Sequence, residues 1–310
     1  MTNERSSRLP GGVWSAAPTP LTVGMELDED SLGRMLEHDR RLGINGYFIA
    51  GTNGEGPWLT NAQRRQLLRF YAKHARGRLP LAMQVTDNSA VRMLDNIAQA
   101  RDDGADIAVI APPYFIVNKT PAHILQIYLE TIRQSPLPVG IYDRGVSGSA
   151  PVSVAMLRRI CAEPRVVMVK DSSADMARMR VLLAIRRRRP ELTLLNGWEF
   201  NCVPYLQAGY DGLLLGGGVF NGYLAHQIIT AVRADDLSRA EKLQARMNRL
   251  MYDVYGGKKI RCWLAGEKQL LVGMGIFETW RNYPQYQLTE SCCRAIQRAL
   301  RRDAEYLLCD

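Results

Sequence analysis

Lys170 directly follows the apolar run Val166-Val167-Met168-Val169, a place where a lysine can do carbonyl chemistry. Partial removal from water disfavours the ammonium, lowers the lysine pKa and raises the share of neutral amine that attacks a carbonyl near neutral pH. The competing reading of the same position is a lysine paired with its neighbour Asp171. Tyr142 ends another apolar run, Val139 to Tyr142. A phenol on a neighbouring strand end can pass protons while a carbinolamine forms and collapses, or it can simply cap the core. The turn Gly51-Thr52-Asn53-Gly54-Glu55-Gly56 offers backbone N–H groups to a carboxylate, with the Thr52 hydroxyl as a relay to Tyr142. Gly216-Gly217-Gly218 removes side chains where a ligand, a phosphate included, or a close packing contact would need room.

These residues all end short apolar runs, so the runs decide where they sit. Eight recur along the chain: Trp14 to Ala17, Gly46 to Ala50, Leu81 to Val85, Ile107 to Ile110, Val139 to Tyr142, Val166 to Val169, Leu192 to Leu195 and Leu213 to Leu215. Continuous apolar character marks strands buried on both faces, as in parallel sheets covered by helices. Helical patterns lie between them at Asp30 to Leu42, Asn61 to Arg76, Ser89 to Asp103, Pro121 to Gln134, Val152 to Ala162 and Asp175 to Arg188. Eight such units predict an α/β fold, a (β/α)8 TIM barrel, whose site lies at the C-terminal strand ends. A doubly wound sheet would show a glycine fingerprint after its first strand, and none is there. Beyond the eighth strand the pattern is helical only, at Tyr223 to Ala234, Leu237 to Tyr255, Lys258 to Gly273 and Thr289 to Leu308, with Thr279 to Leu288 as a connecting loop. The expected organisation is a catalytic barrel over 1–222 and a C-terminal helical extension over 223–310 packed on it.

The 310 residues carry a formal charge of +9, densest at Arg186-Arg187-Arg188-Arg189. That cluster ends a helical segment, where cations complement the helix dipole, so no nucleic-acid partner is expected. The six cysteines, Cys161, Cys202, Cys262, Cys292, Cys293 and Cys309, form no Cys-x-x-Cys pair and share no ligand spacing with the four histidines. Packed thiols are expected, with no metal. No apolar run spans a bilayer, and Met1 to Gly12 lacks the apolar core of a signal peptide, so a cytoplasmic protein without membrane contact is expected.

Ala17-Pro18-Thr19-Pro20, Gly51-Thr52-Asn53-Gly54-Glu55, Pro113-Tyr114, Tyr142 and Lys170-Asp171, in this order and spacing, give a chain that resembles the dihydrodipicolinate synthase and N-acetylneuraminate lyase superfamily of class I, lysine-dependent aldolases. The resemblance implies a homotetrameric barrel that binds pyruvate or a similar 2-oxo acid as an imine on Lys170, with no other cofactor. It implies Tyr142 as general acid/base, Thr52 as its relay partner, and Thr52 with Asn53 around the substrate carboxylate, beside Gly51 of the same turn as a further binding candidate. Three departures stand out. Asn53 replaces a second Thr or Ser. Phe115 follows Tyr114 where the synthases carry a relay tyrosine. Tyr142 leads into Asp143-Arg144-Gly145-Val146-Ser147-Gly148, with Ser147 where the synthases place an arginine for the second substrate.

The expected function is therefore an aldolase that makes or breaks a C–C bond, acting on a 2-oxo-3-deoxy sugar acid or a similar compound. Arg144, Asp143, Ser147 and Ser172 are the candidates for the variable part of the pocket, together with Gly217 and Gly218. A dehydratase on the same imine, dihydrodipicolinate synthase itself, and a non-catalytic 2-oxo acid sensor are the alternatives. Loss of a bidentate carboxylate clamp at Ser147 weighs against the synthase. The sensor is favoured only by Phe115.

Overall fold

A computed structural model describes residues 8–75, 77–147 and 150–308. Eight parallel strands close into a barrel in sequence order: β1 (Gly12–Ser15), β2 (Gly46–Ile49), β3 (Leu81–Gln84), β4 (Ile107–Ile110), β5 (Val139–Asp143), β6 (Val166–Asp171), β7 (Thr193–Asn196) and β8 (Gly212–Leu215). Side chains alternate across each strand, which divides the core in two. Trp14, Phe48, Ala82, Ile107, Val109, Tyr142, Met168, Leu195 and Leu214 belong to one buried cluster inside the barrel. The larger cluster lies between strands and helices. Gly46 makes the floor possible, because a Cβ there would lie 2.5 Å from the Trp14 ring.

Seven helices follow the first seven strands: α1 (Glu29–Leu42), α2 (Asn61–Ala75), α3 (Ala90–Asp103), α4 (Pro121–Gln134), α5 (Val154–Cys161), α6 (Met176–Arg188) and the short α7 (Val203–Gln207). Their starts are set by local chemistry: Asp28, Ser89, Thr120, Ser153 and Asp175 each accept a hydrogen bond from an N–H of the first turn. Two expected helices, from Ser89 and from Asp175, began on these caps, hence their one-residue differences. Arg76, where the second was expected to end, lies outside the described residues.

The larger difference is at α8 (Gly218–Arg233), which begins five residues before the expected Tyr223. The expected division between residues 222 and 223 falls inside this helix. Its first turn seats on β1, where a Cβ on Gly218 would lie 3.0 Å from Ser15 Cα, so α8 is the eighth barrel helix. The C-terminal region then comprises α9 (Leu237–Val254), α10 (Trp263–Gly273), α11 (Glu290–Arg302) and α12 (Ala304–Leu307). The expected helix from Lys258 starts instead at Trp263, and the last expected helix is broken at Asp303.

The arginine cluster ends α6 as expected, and two of its members have structural work. Arg189 donates to the carbonyls of Cys161, Glu163, Pro164 and Val166, tying α5 to β6, while Arg186 pairs with Asp211. Cys161, Cys202, Cys262, Cys292 and Cys293 are free thiols, and Cys309 lies outside the described residues. Among the described residues no helix is long and apolar enough to cross a membrane, and no group of His, Cys, Asp and Glu is arranged to hold a metal ion.

Candidate active site

Tyr142 and Lys170 are direct partners in the β5–β6 register, so the sheet itself puts phenol and amine side by side. Both turn inward at the mouth. Lys170 is 6% exposed, and its Nζ lies 4.5 Å from the Tyr142 ring centre and 4.8 Å from that of Phe48. Among the described residues it has no hydrogen bond and no ion pair. Burial pushes its pKa below 10.5. Tyr142 and Glu199 pull it part of the way back, and Arg144 adds to the lowering. Burial opposes ionisation of Tyr142, but the charges of Lys170 and Arg144 outweigh it and the phenol ends below its usual value. The hydroxyls of Thr52 and Ser172 beside it act in the same direction. An amine poised to lose its proton next to a phenol poised to ionise can supply the proton transfers that carbinolamine chemistry needs.

Asp171 is not the partner of Lys170. One residue along a strand changes the face, and the Asp171 carboxylate points out of the barrel to Ser173 and to the Tyr210 hydroxyl at 2.7 Å. Asp143 is corrected for the same reason. Expected in the pocket, it is buried on the outer face and held by a two-pronged ion pair to Arg178, at 2.8 and 2.6 Å. Tyr142 in and Asp143 out is simple alternation, so Asp143 positions the strand end and leaves substrate to others.

The glycine-rich turn after β2 is built tightly. A Cβ on Gly51 would lie 2.7 Å from the Phe48 ring, and one on Gly56 would lie 1.7 Å from the Ala50 carbonyl oxygen. Thr19, from the proline-flanked motif after β1, donates to the Gly54 carbonyl at 2.7 Å, which explains why the two motifs occur together. Asn53 departs from expectation. The two hydrogens of its amide nitrogen are shared among three acceptors, the carbonyls of Ala16 and Gly216, each at 3.0 Å, and Glu267 Oε1 at 3.1 Å. The side chain thus bolts the ends of β1 and β8 to α10, and only the Asn53 backbone remains for a substrate carboxylate. Glu55 is fully buried against Lys268 of α10 and accepts from the Tyr283 N–H at 2.6 Å. Lys268 also donates to the Arg281 carbonyl at 2.6 Å. The loop Arg281-Asn282-Tyr283-Pro284 therefore braces the turn from below.

Sequence reasoning missed the contribution of β7. Gly197 admits no side chain, because a Cβ would lie 2.2 Å from Ser172 Oγ and 2.9 Å from Lys170 Cε. Two residues on, Glu199 accepts from the Gly217 N–H at 2.9 Å and from the Tyr255 hydroxyl at 3.0 Å. Burial raises its pKa, although Lys170 opposes the rise. The polar run Asn196-Gly197-Trp198-Glu199 at a strand end was the available signal. The expected roles of Gly217 and Gly218 change accordingly. The Gly217 amide serves Glu199, a Cβ there would meet the Phe220 ring at 2.9 Å, and Gly218 packs on β1.

Of the remaining candidates, Ser172 is at the site, with a buried hydroxyl that makes no hydrogen bond of ordinary geometry among the described residues. Arg144 is half-buried, and its charge is felt at Lys170, Tyr142 and Tyr114. Ser147 is exposed on the loop after β5, and Gly148 lies outside the described residues. Tyr114 turns its hydroxyl inward to accept from Gln84 Nε2 at 2.9 Å, whereas Phe115 stands 70% exposed.

The signature of the dihydrodipicolinate synthetase family matches residues 9–285. A 4-hydroxy-tetrahydrodipicolinate synthase from Kosmotoga olearia is 30% identical over 247 residues, covering 77% of this chain and 81% of that one. An N-acetylneuraminate lyase from Salmonella paratyphi B is 26% identical over 242 residues, covering 77% and 80%. Among solved structures, a dihydrodipicolinate synthase from Bacteroides thetaiotaomicron superposes with a TM-score of 0.86 at 26% identity, over 96% of this chain and 99% of that one. A prophage protein of the dihydrodipicolinic acid synthase family from E. coli K12, solved in complex with pyruvate, shares the fold with a TM-score of 0.83 at 20% identity, over 94% and 98%.

Proposed function

The chain belongs to the dihydrodipicolinate synthetase family of lysine-dependent lyases, and on that premise we propose that Lys170 forms an imine with pyruvate, or with a 2-oxo-3-deoxy sugar acid that yields it. The observation that carries the reading is the unpartnered, buried Lys170 amine in register with Tyr142. The neutral amine adds to the C2 carbonyl, and the phenol passes the proton that lets the hydroxyl depart as water. Backbone amides of Thr52 and Asn53 hold the substrate carboxylate, and Thr52 relays protons to Tyr142. With the imine protonated, the C3–C4 bond breaks as the C4 hydroxyl gives its proton to the Tyr142 phenolate, and the electron pair enters the enamine. Protonation at C3 and hydrolysis then release pyruvate and free Lys170. Pyruvate bound in the E. coli relative supports the choice of 2-oxo acid. Arg144 at the mouth suits a second anionic group, with Ser172 and Ser147 as further pocket candidates. The proposal includes a cytoplasmic homotetramer, in which the exposed apolar residues Phe115, Val117 and Val146 gain a cover.

Glu199 favours dehydration as a second reading. It is another acid/base group beside Lys170, and elimination needs one group to take the C3 proton and one to protonate the departing C4 hydroxyl. Incubation with pyruvate, reduction with borohydride and peptide mass spectrometry test the imine. The expected result is a reduced pyruvyl adduct on Lys170, lost in Lys170→Ala, and an adduct-free protein across a panel of 2-oxo acids would overturn it. Product analysis separates the two reactions. An aldolase gives pyruvate plus an aldehyde, and a dehydratase gives a 2-oxo acid of unchanged carbon count.

A further inference from the structure

Glu267 lies on α10, outside the barrel wall, yet it is fully buried and touches the substrate turn through Asn53. Its Oε1 accepts from the Asn53 amide nitrogen at 3.1 Å. Its other oxygen, Oε2, is buried without a partner among the described residues, and so is Asn53 Oδ1. These two orphan oxygens belong to one acid and one amide already joined by one hydrogen bond. As a carboxylate, Glu267 could not join them, since both would be acceptors. A proton on Oε2 would supply the donor that both oxygens lack, by closing a two-bond ring of acid and amide. We propose that Glu267 carries this proton and acts as a positioning residue, holding Asn53, and with it the carboxylate-binding turn, from the helical region behind the barrel.

The surroundings fit a neutral acid. Burial raises the Glu267 pKa well above 4.5, and the neighbouring carboxyl groups Glu199 and Glu55 raise it further. Asn53 and Lys268 oppose this, but Lys268 is already engaged by Glu55 and by the Arg281 carbonyl. Tyr255, the other titratable group nearby, gives its hydroxyl hydrogen to Glu199. The arrangement gives Asn53, a departure from the usual Thr or Ser, a reason: an amide presents the donor and acceptor that an acid needs, and a lone hydroxyl does not.

The inference rests on the imine reading, so the unaltered enzyme is measured first, by the pyruvate dependence of borohydride trapping on Lys170. No adduct there removes the imine reading and this inference together. With an adduct, Glu267→Ala is expected to raise the pyruvate concentration for half-maximal trapping about tenfold, the scale of one or two lost hydrogen bonds, with the rate at saturating pyruvate little changed. Glu267→Gln supplies an amide donor in place of the acid proton and is expected to stay near the unaltered value. Equal half-saturation in Glu267→Ala, or an equally impaired Glu267→Gln, overturns the positioning role while leaving the imine intact. Should Glu267→Ala fail to fold, the pH series decides. Half-saturation of the unaltered enzyme rises on the alkaline side as Glu267 ionises, and that of Glu267→Gln does not follow; identical alkaline profiles overturn the inference.

Discussion

Lys170 and Lys268 are both buried, at 6% and 0% exposure, and burial lowers the pKa of each. What differs is what waits for the ammonium. Lys268 meets the Glu55 carboxylate and the Arg281 carbonyl, partners that hold its proton in place. Lys170 meets two aromatic faces and has no hydrogen-bond acceptor among the described residues. The first environment makes a brace and the second suits the nucleophile proposed for the imine. Burial by itself does not separate the two lysines; the presence or absence of an acceptor does, and the lysine without one is the candidate for carbonyl chemistry.

Removing each lysine should break different things. Lys170→Ala is expected to abolish trapping and turnover, a fall of at least about 10⁴-fold, in a protein that melts normally. Lys268→Met should leave Glu55 buried without its cation and lower unfolding stability by about 3–5 kcal/mol in urea titrations. The double variant Glu55→Gln/Lys268→Met should recover most of that loss. An unimpaired melting curve for Lys268→Met would sink the distinction. Tyr142→Phe sharpens the other side: turnover should fall about 10²- to 10³-fold, with the imine still slowly trapped by borohydride.

The smallest expected effects are pH slopes. Lys170 is depressed in the folded state, so unfolding takes up a proton between its lowered value and 10.5, and stability rises with pH across that window. Asp39 is the opposite case, a buried carboxyl on α1 whose two oxygens have no hydrogen-bond partner among the described residues and whose pKa burial raises well above 3.8. Its folded form keeps a proton that the unfolded chain releases, so it makes stability fall as pH rises from 3.8. Lys170→Met should remove the first slope and Asp39→Asn the second, read as urea midpoints from acid to alkaline pH. Asp39 lies between α1 and the Tyr47–Tyr71 pair, away from the mouth, and Asp39→Asn should leave trapping unchanged.

The barrel was legible because eight apolar runs and their intervening helices repeat one pattern, and Lys170 and Tyr142 stood out as candidates because one follows such a run and the other ends one. Asp143 was misplaced for want of applying the two-residue period past Tyr142. The start of α8 was hidden by Gly216-Gly217-Gly218, which reads as a loop but lets the helix begin against β1. Glu267 and Tyr255 had no local signal. Each sits in a helical pattern far along the chain, and only folding brings Glu267 to Asn53, 214 residues earlier, and Tyr255 to Glu199, 56 residues earlier. Asn53 looked like a substitution in a ligand turn until its partners appeared on three other elements.

Because Glu55 and Asn53 are secured by residues between Trp263 and Tyr283, the pocket is completed late in synthesis. A nascent chain that has delivered all eight strands still lacks the brace under its substrate turn. Lys170 is thus synthesised about a hundred residues before the side chains that hold the turn at Asn53 and Glu55.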